Sequence, residues 1–166
     1  MSCLGVHFAL TAGEAEGLAS LPTDDERLEY LQEEIEERYF AESPEYVAES
    51  DKSWDAMHRA LADGTLTWDG GMYPLNHTVL AGKLLYSRDD YIISLKTPAQ
   101  VKEIASALQD LTEQSFRKRY DAIDGGYDGE LGDEDFEYTW NWLQDVRALY
   151  VRAASENRYV LFTADQ

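Results

Sequence analysis

Apolar and polar residues alternate from the first segment of the chain. Leu4, Val6, Phe8 and Leu10 are separated by Gly5, His7 and Ala9, the period-two pattern of a half-buried strand. Thr11-Ala12-Gly13-Glu14 follows as a capping box, in which a hydroxyl and a carboxylate satisfy free amides at a helix start. The strand therefore runs into a short helix ending near Leu21. A second box, Thr23 to Glu26, opens a longer helix in which Leu28, Leu31 and Ile35 share a face, with Glu33, Glu34, Glu36 and Glu37 on the others. Ser43-Pro44 breaks that helix. Ser50 or Asp51 is placed to cap the next one, where Trp54, Met57, His58 and Leu61 recur at helical spacing as a core stripe.

Gly64 ends this helix, Asp69-Gly70-Gly71 reads as a turn, and Pro74 to Gly82 reads as a short helix closed by glycine. Tyr91 to Leu95, after Asp89-Asp90, is rich in β-formers. Thr97-Pro98-Ala99-Gln100 combines a cap, proline at the first helical position and glutamine three residues on, which predicts a helix burying Val101, Ile104, Ala105, Leu108 and Leu111. A polar segment with Phe116 and Arg117-Lys118-Arg119 leads into a Gly- and Asp-rich loop from Asp121 to Gly132. Asp133 is placed to cap the last helix, with Phe136, Trp140, Leu143, Val146, Leu149 and Tyr150 as its apolar stripe. Asn157 ends it, and Tyr159 to Thr163 reads as a closing strand. The expected fold is mixed α/β (α+β). It is one compact domain over residues 1–166, with a small sheet from the N- and C-terminal strands and several helices packed on it. No repeat period of a solenoid is visible.

The length of 166 residues agrees with one domain, and 44% hydrophobic residues exclude a disordered chain. Charge narrows the function. The formal net charge is −19, the opposite of what a phosphate backbone or an anionic lipid surface attracts, and no apolar run approaches a membrane span. The acidity is uneven. Residues 1–51 hold fourteen acids against Arg27 and Arg38, residues 52–123 hold nine of each sign, and the last 43 residues hold ten acids and three bases. An acidic surface of this kind steers a basic partner. Met1 to His7 has neither a basic stretch nor a long apolar one, so no signal peptide is expected. One cysteine, Cys3, makes no internal disulfide, which fits the cytoplasm.

Candidate chemistry is sparse. His7, His58 and His77 lie on separate elements, and none has metal-ligand spacing. G-x-S-x-G, P-loop and G-x-G-x-x-G motifs are absent, and no cofactor or metal is expected. The loop Asp124 to Asp135 resembles a calcium loop at some positions. It has Gly126 at the third and Asp135 where a bidentate glutamate is normal, so a flexible acidic turn is the expected reading. Surplus aromatics on the last helix leave Tyr138, Trp142 and Asp145 for an edge, where an aromatic beside an acid suits a protein contact.

These stretches, taken in order, resemble one family. They are Gly5 to Leu10, Lys52 to Leu61, Pro74-Leu75 to Gly82, Phe116 to Asp121, the aromatic helix with Leu149-Tyr150, and Ala153-Ala154 to Phe162. The chain resembles the YfbM-like proteins, a domain of unknown function numbered 1877. The resemblance implies a compact single-domain α/β fold, often bacterial, with no catalytic residues to carry over. Small acidic bacterial domains of this sort also accompany toxins as neutralising partners.

The first functional expectation is an acidic module that binds a basic protein, an immunity-type inhibitor of a toxin or enzyme, through Glu33, Glu36, Glu37, Asp133, Glu134, Tyr138 and Trp142. The second is a small-molecule-binding protein or enzyme with a pocket near Trp54, His58, Tyr73 and His77.

Overall fold

The chain runs β1 (Gly5–Leu10), α1 (Ala12–Ser20), α2 (Asp24–Tyr30), a π-helical turn (Leu31–Glu36), α3 (Glu37–Glu42) and β2 (Val47–Asp51). It continues through α4 (Trp54–Leu61), β3 (Lys83–Leu84), β4 (Tyr91–Lys96), α5 (Pro98–Asp110), α6 (Glu113–Asp121), α7 (Asp133–Ser155) and β5 (Tyr159–Asp165). This is a computed structural model, and it describes residues 3–166. Met1 and Ser2, the start of the segment read for a signal peptide, lie outside the described residues.

All strand pairs are antiparallel, in the order β2-β1-β5-β4-β3. The first and last strands are neighbours, with Gly5 opposite Ala164 and Leu10 opposite Tyr159. That pairing is the sheet expected from the two ends of the chain. Helices cover both faces. Phe8, Leu10, Ile93, Leu95 and Leu161 pack against α1, the π turn and α3 through Ala15, Leu18, Leu31, Ile35 and Tyr39. Ala9, Val160, Phe162 and Ala164 pack against α4 to α7, among them Met57, Leu108, Phe116, Leu143 and Val146. The alternation in β1 therefore marks a tight face and not a wet one, because a small or polar residue lies where α4 and α7 come close. A Cβ at Gly5 would sit 2.8 Å from the Trp54 ring, which only glycine avoids.

The caps at Thr11, Thr23 and Thr97 form as read, and Asn157 adopts a left-handed φ of 57° just past α7. Five details differ. Strand β2 is short, with one strong β-former, so its pattern is hard to see; it forms because β1 supplies its hydrogen bonds. Ser53, not Ser50 or Asp51, precedes α4. Pro74 to Gly82 holds only a single 3-10 turn, Leu75–His77. The polar segment around Phe116 is a full helix, α6, opened by a Thr112–Ser115 box and anchored by Phe116 and Tyr120 one turn apart. Gly132 occupies the cap position of α7, and the Asp133 carboxylate pairs instead with Arg117 at 2.9 Å.

Candidate functional site

The three histidines come from β1, α4 and the 3-10 turn, yet all lie within electrostatic reach of one amine, Lys96 at the end of β4. Residues 92, 94 and 96 alternate onto the α7 side of the sheet, so the chain buries Ser94 and Lys96 completely. Lys96 Nζ donates to the Val79 carbonyl and to Ser94 Oγ, the latter at 2.9 Å, and lies 5.7 Å from the centre of the Phe162 ring. No carboxylate among the described residues pairs with it. Burial holds its pKa well below the usual lysine range.

Each buried donor around Lys96 is aimed at the main chain of segment 65–82. His7 Nε2 and the Tyr150 hydroxyl both donate to Thr78 O at 2.7 Å, Ser94 Oγ donates to Leu80 O at 2.8 Å, and His58 Nε2 donates to Thr67 O at 2.8 Å. A carbonyl only accepts, so Nε2 carries the proton in both rings and the buried Nδ1 atoms, which have no partner, are the bare nitrogens. Burial, reinforced by Lys96, drives the pKa of His7 down to about 3; burial brings His58 down to about 4. Both rings are neutral and closed off. They hold an irregular segment whose carbonyls would otherwise be unsatisfied in the core.

Of the residues expected around a pocket, Trp54 is buried against Phe162 and donates its indole N–H to Cys3 O at 2.8 Å. His58 is the buried anchor just described. Only Tyr73, 43% exposed, and the half-buried His77 reach the surface, edge to face at 4.8 Å. His77 Nδ1 lies 2.7 Å from Asn76 Oδ1, an acceptor, so Nδ1 carries a proton. Burial and Lys96 lower the His77 pKa. Neither of the two grooves described below includes these four residues.

The expected partner-binding residues divide between the two helical layers. Glu33, Glu36 and Glu37 belong to the layer of α1 to α3, whereas Asp133, Glu134, Tyr138 and Trp142 belong to α7 on the other side of the sheet. Glu36 accepts a hydrogen bond from Tyr91 at 2.8 Å and is partly buried, so it is not the open acid its sequence position implied. Asp133, Glu134 and Tyr138 line a small groove of about 440 Å³ at the start of α7. In the glycine-rich loop the Asp135 carboxylate accepts the hydroxyls of Tyr120 and Tyr127, at 2.6 and 3.0 Å, and Asp124 turns to the amide of Gly125. The two ends of the calcium-like stretch thus serve different partners.

Trp142 lines a larger groove of about 840 Å³ that crosses α7 and reaches the free edge of β2. Phe40, 45% exposed, and Pro44 stand on one side, Val47, Ala48 and Glu49 lie between, and Asp145 and Leu149 project from α7. Glu45, Glu49 and Asp145 are exposed, and none makes a hydrogen bond or ion pair among the described residues. Two arginines also line the groove, each held against an aromatic ring. Arg147 donates to Leu111 O and lies on Trp140, and Arg152 lies over Tyr46. Sequence reading pointed to Trp142 and Asp145 in this groove, while β2, whose edge it follows, was not visible as a strand.

A five-stranded antiparallel sheet between two helical layers, with its ionisable interior turned toward carbonyls, defines a two-sided α/β domain. Its family model is a domain of unknown function (DUF1877), matched over residues 1–163, and the chain belongs to that family. The fold is similar to the crystal structure of YfbM from Escherichia coli, a protein of unknown function. The two share 18% sequence identity with a TM-score of 0.66, over 97% of this chain and 99% of that one. None of the curated proteins matches the chain.

Proposed function

We propose that the chain is an acidic protein-binding module whose partner is a basic protein. The observation that carries this is the groove between α7 and the β2 edge, where Glu45, Glu49 and Asp145 stand exposed and unpaired beside Phe40 and Trp142. Aromatic surface supplies contact area at low entropic cost, and unpaired acids steer and select the partner. The finer reading is an immunity-type inhibitor in the cytoplasm, which covers the cationic surface of a toxin or enzyme. The overall charge of −19 supports it, as the field attracts such a surface from a distance. No helix among the described residues is long and apolar enough to cross a membrane.

The test is parallel affinity capture with the wild-type chain and a Glu45→Gln, Glu49→Gln, Asp145→Asn triple variant, in low and then moderate salt. The expected result is one stoichiometric basic partner retained by the wild type and lost from the variant, with retention falling as salt rises. Equal recovery by both proteins overturns the reading.

A further inference from the structure

We infer that the partner enters this groove as an extended basic segment that adds a strand to the outer edge of β2. This deepens the binding reading above and rests on it. Strand β2 ends the sheet and, among the described residues, pairs only with β1. An edge strand presents alternate N–H and C=O groups outward, and these are satisfied by water or by another strand. A helix cannot use them, because its own main-chain groups are closed within it. The two helical layers flank this edge, with Phe40 and Pro44 from one and Trp142, Asp145 and Leu149 from the other. A strand laid between them alternates its side chains toward the two walls.

Charge identifies the occupant. Glu45, Glu49 and Asp145 call for lysine or arginine on the incoming strand, with apolar residues between them to cover Phe40 and Trp142. A second copy of this chain is a poor fit, since pairing β2 with itself would bring Glu49 and Asp51 against the same acids. The opposite edge does not compete. Strand β3 has two residues, one of them Lys83, which is too short to hold a partner and of the wrong sign for a basic one.

The probe is a library of short peptides, about eight to ten residues each, alternating Lys or Arg with apolar residues, titrated against the full chain at low salt. The tightest peptide is then remade twice, with N-methyl groups on its odd or on its even residues. Strand addition predicts that one remade peptide binds at least about tenfold more weakly while the other stays within about twofold, as only one set of amides faces β2. Amides of Val47 to Glu49 should also gain hydrogen-exchange protection when the parent peptide binds. If both methylated peptides bind like the parent, strand addition is overturned while the basic-partner reading stands. If no peptide prefers the wild type to the Glu45→Gln, Glu49→Gln, Asp145→Asn variant, the reading of the groove itself falls, and strand addition with it.

Discussion

His7, His58, Tyr150 and Lys96 direct their donors at the main chain of segment 65–82, whereas the exposed carboxylates of Glu45, Glu49 and Asp145 have no hydrogen-bond or ion-pair partner among the described residues. Both regions are polar, and residue type alone ranks the first as the more chemical. Burial reverses that ranking. A buried amine and two neutral imidazoles in the core answer a structural need, the carbonyls of a long irregular segment. The acids on the rim answer no such need, and their exposure leaves them open to a partner.

The contrast is sharpest in acid. His7 and His58 titrate near 6.5 when unfolded, but at about 3 and 4 when folded. The unfolded chain therefore binds more protons once pH drops below that value. The stability these neutral rings represent is present above pH 6.5 and lost as pH falls toward 4 and then 3. Between pH 7 and 4.5 the expected loss is about 2 to 3 kcal/mol per ring. Guanidinium unfolding at both pH values should show it, and His7→Gln, which keeps a donor but does not titrate, should flatten the slope by one ring's share. An unchanged slope in His7→Gln would mean that the ring is not held neutral.

Lys96 makes the second test, of opposite sign. Burial pushes its pKa well below the usual lysine range, so folding works against the charged amine that the unfolded chain carries. Lys96→Met is expected to raise stability by about 1 to 3 kcal/mol, the avoided burial of an amine outweighing the donor lost to Val79 O. The gain should shrink as pH rises toward 10, where the unfolded lysine also becomes neutral. Destabilisation at every pH would instead show that the hydrogen bonds of Lys96 dominate.

Much of this architecture was legible in the chain, because caps and apolar stripes are local signals. Thr11, Thr23 and Thr97 start helices where their spacing says, and both terminal strands appear as read. What was hidden depends on contacts distant in sequence. Strand β2 owes its shape to β1, and α6 rests on two aromatics and a box with serine in place of glutamate. Lys96 escaped notice because a lysine at the end of a strand looks like a solvated terminus. Only the covering segment 65–82 shows that it is buried. The groove was half visible for the same reason: Trp142 stands out on its helix, and the edge it faces does not.

On the rim, Glu49→Lys should weaken binding of a basic partner by about tenfold or more, since a repulsive contact replaces an attractive one at the groove. The residue is exposed and unpaired, so stability should move by no more than about 0.5 kcal/mol. Titration of the partner together with a denaturation curve separates the two effects, and an equal loss in both would make Glu49 a structural residue.

The smallest effect is expected from Glu33→Gln with Glu37→Gln, two acids of the same sign on the other side of the sheet. Neither lines the groove, and at physiological salt the screening length is about 8 Å, so these carboxylates contribute little to a partner seated at β2. Affinity in 0.15 M salt should change by less than about twofold. At about 0.01 M salt the screening length extends to about 30 Å, and the association rate should then fall while the dissociation rate holds. Faster dissociation in the Glu49→Lys protein and a slower encounter in the Glu33, Glu37 double variant would separate contact from steering. If the double variant instead loses affinity at physiological salt, the partner reaches past the Phe40 wall onto the acids of the π turn and α3, and the binding surface extends beyond the groove.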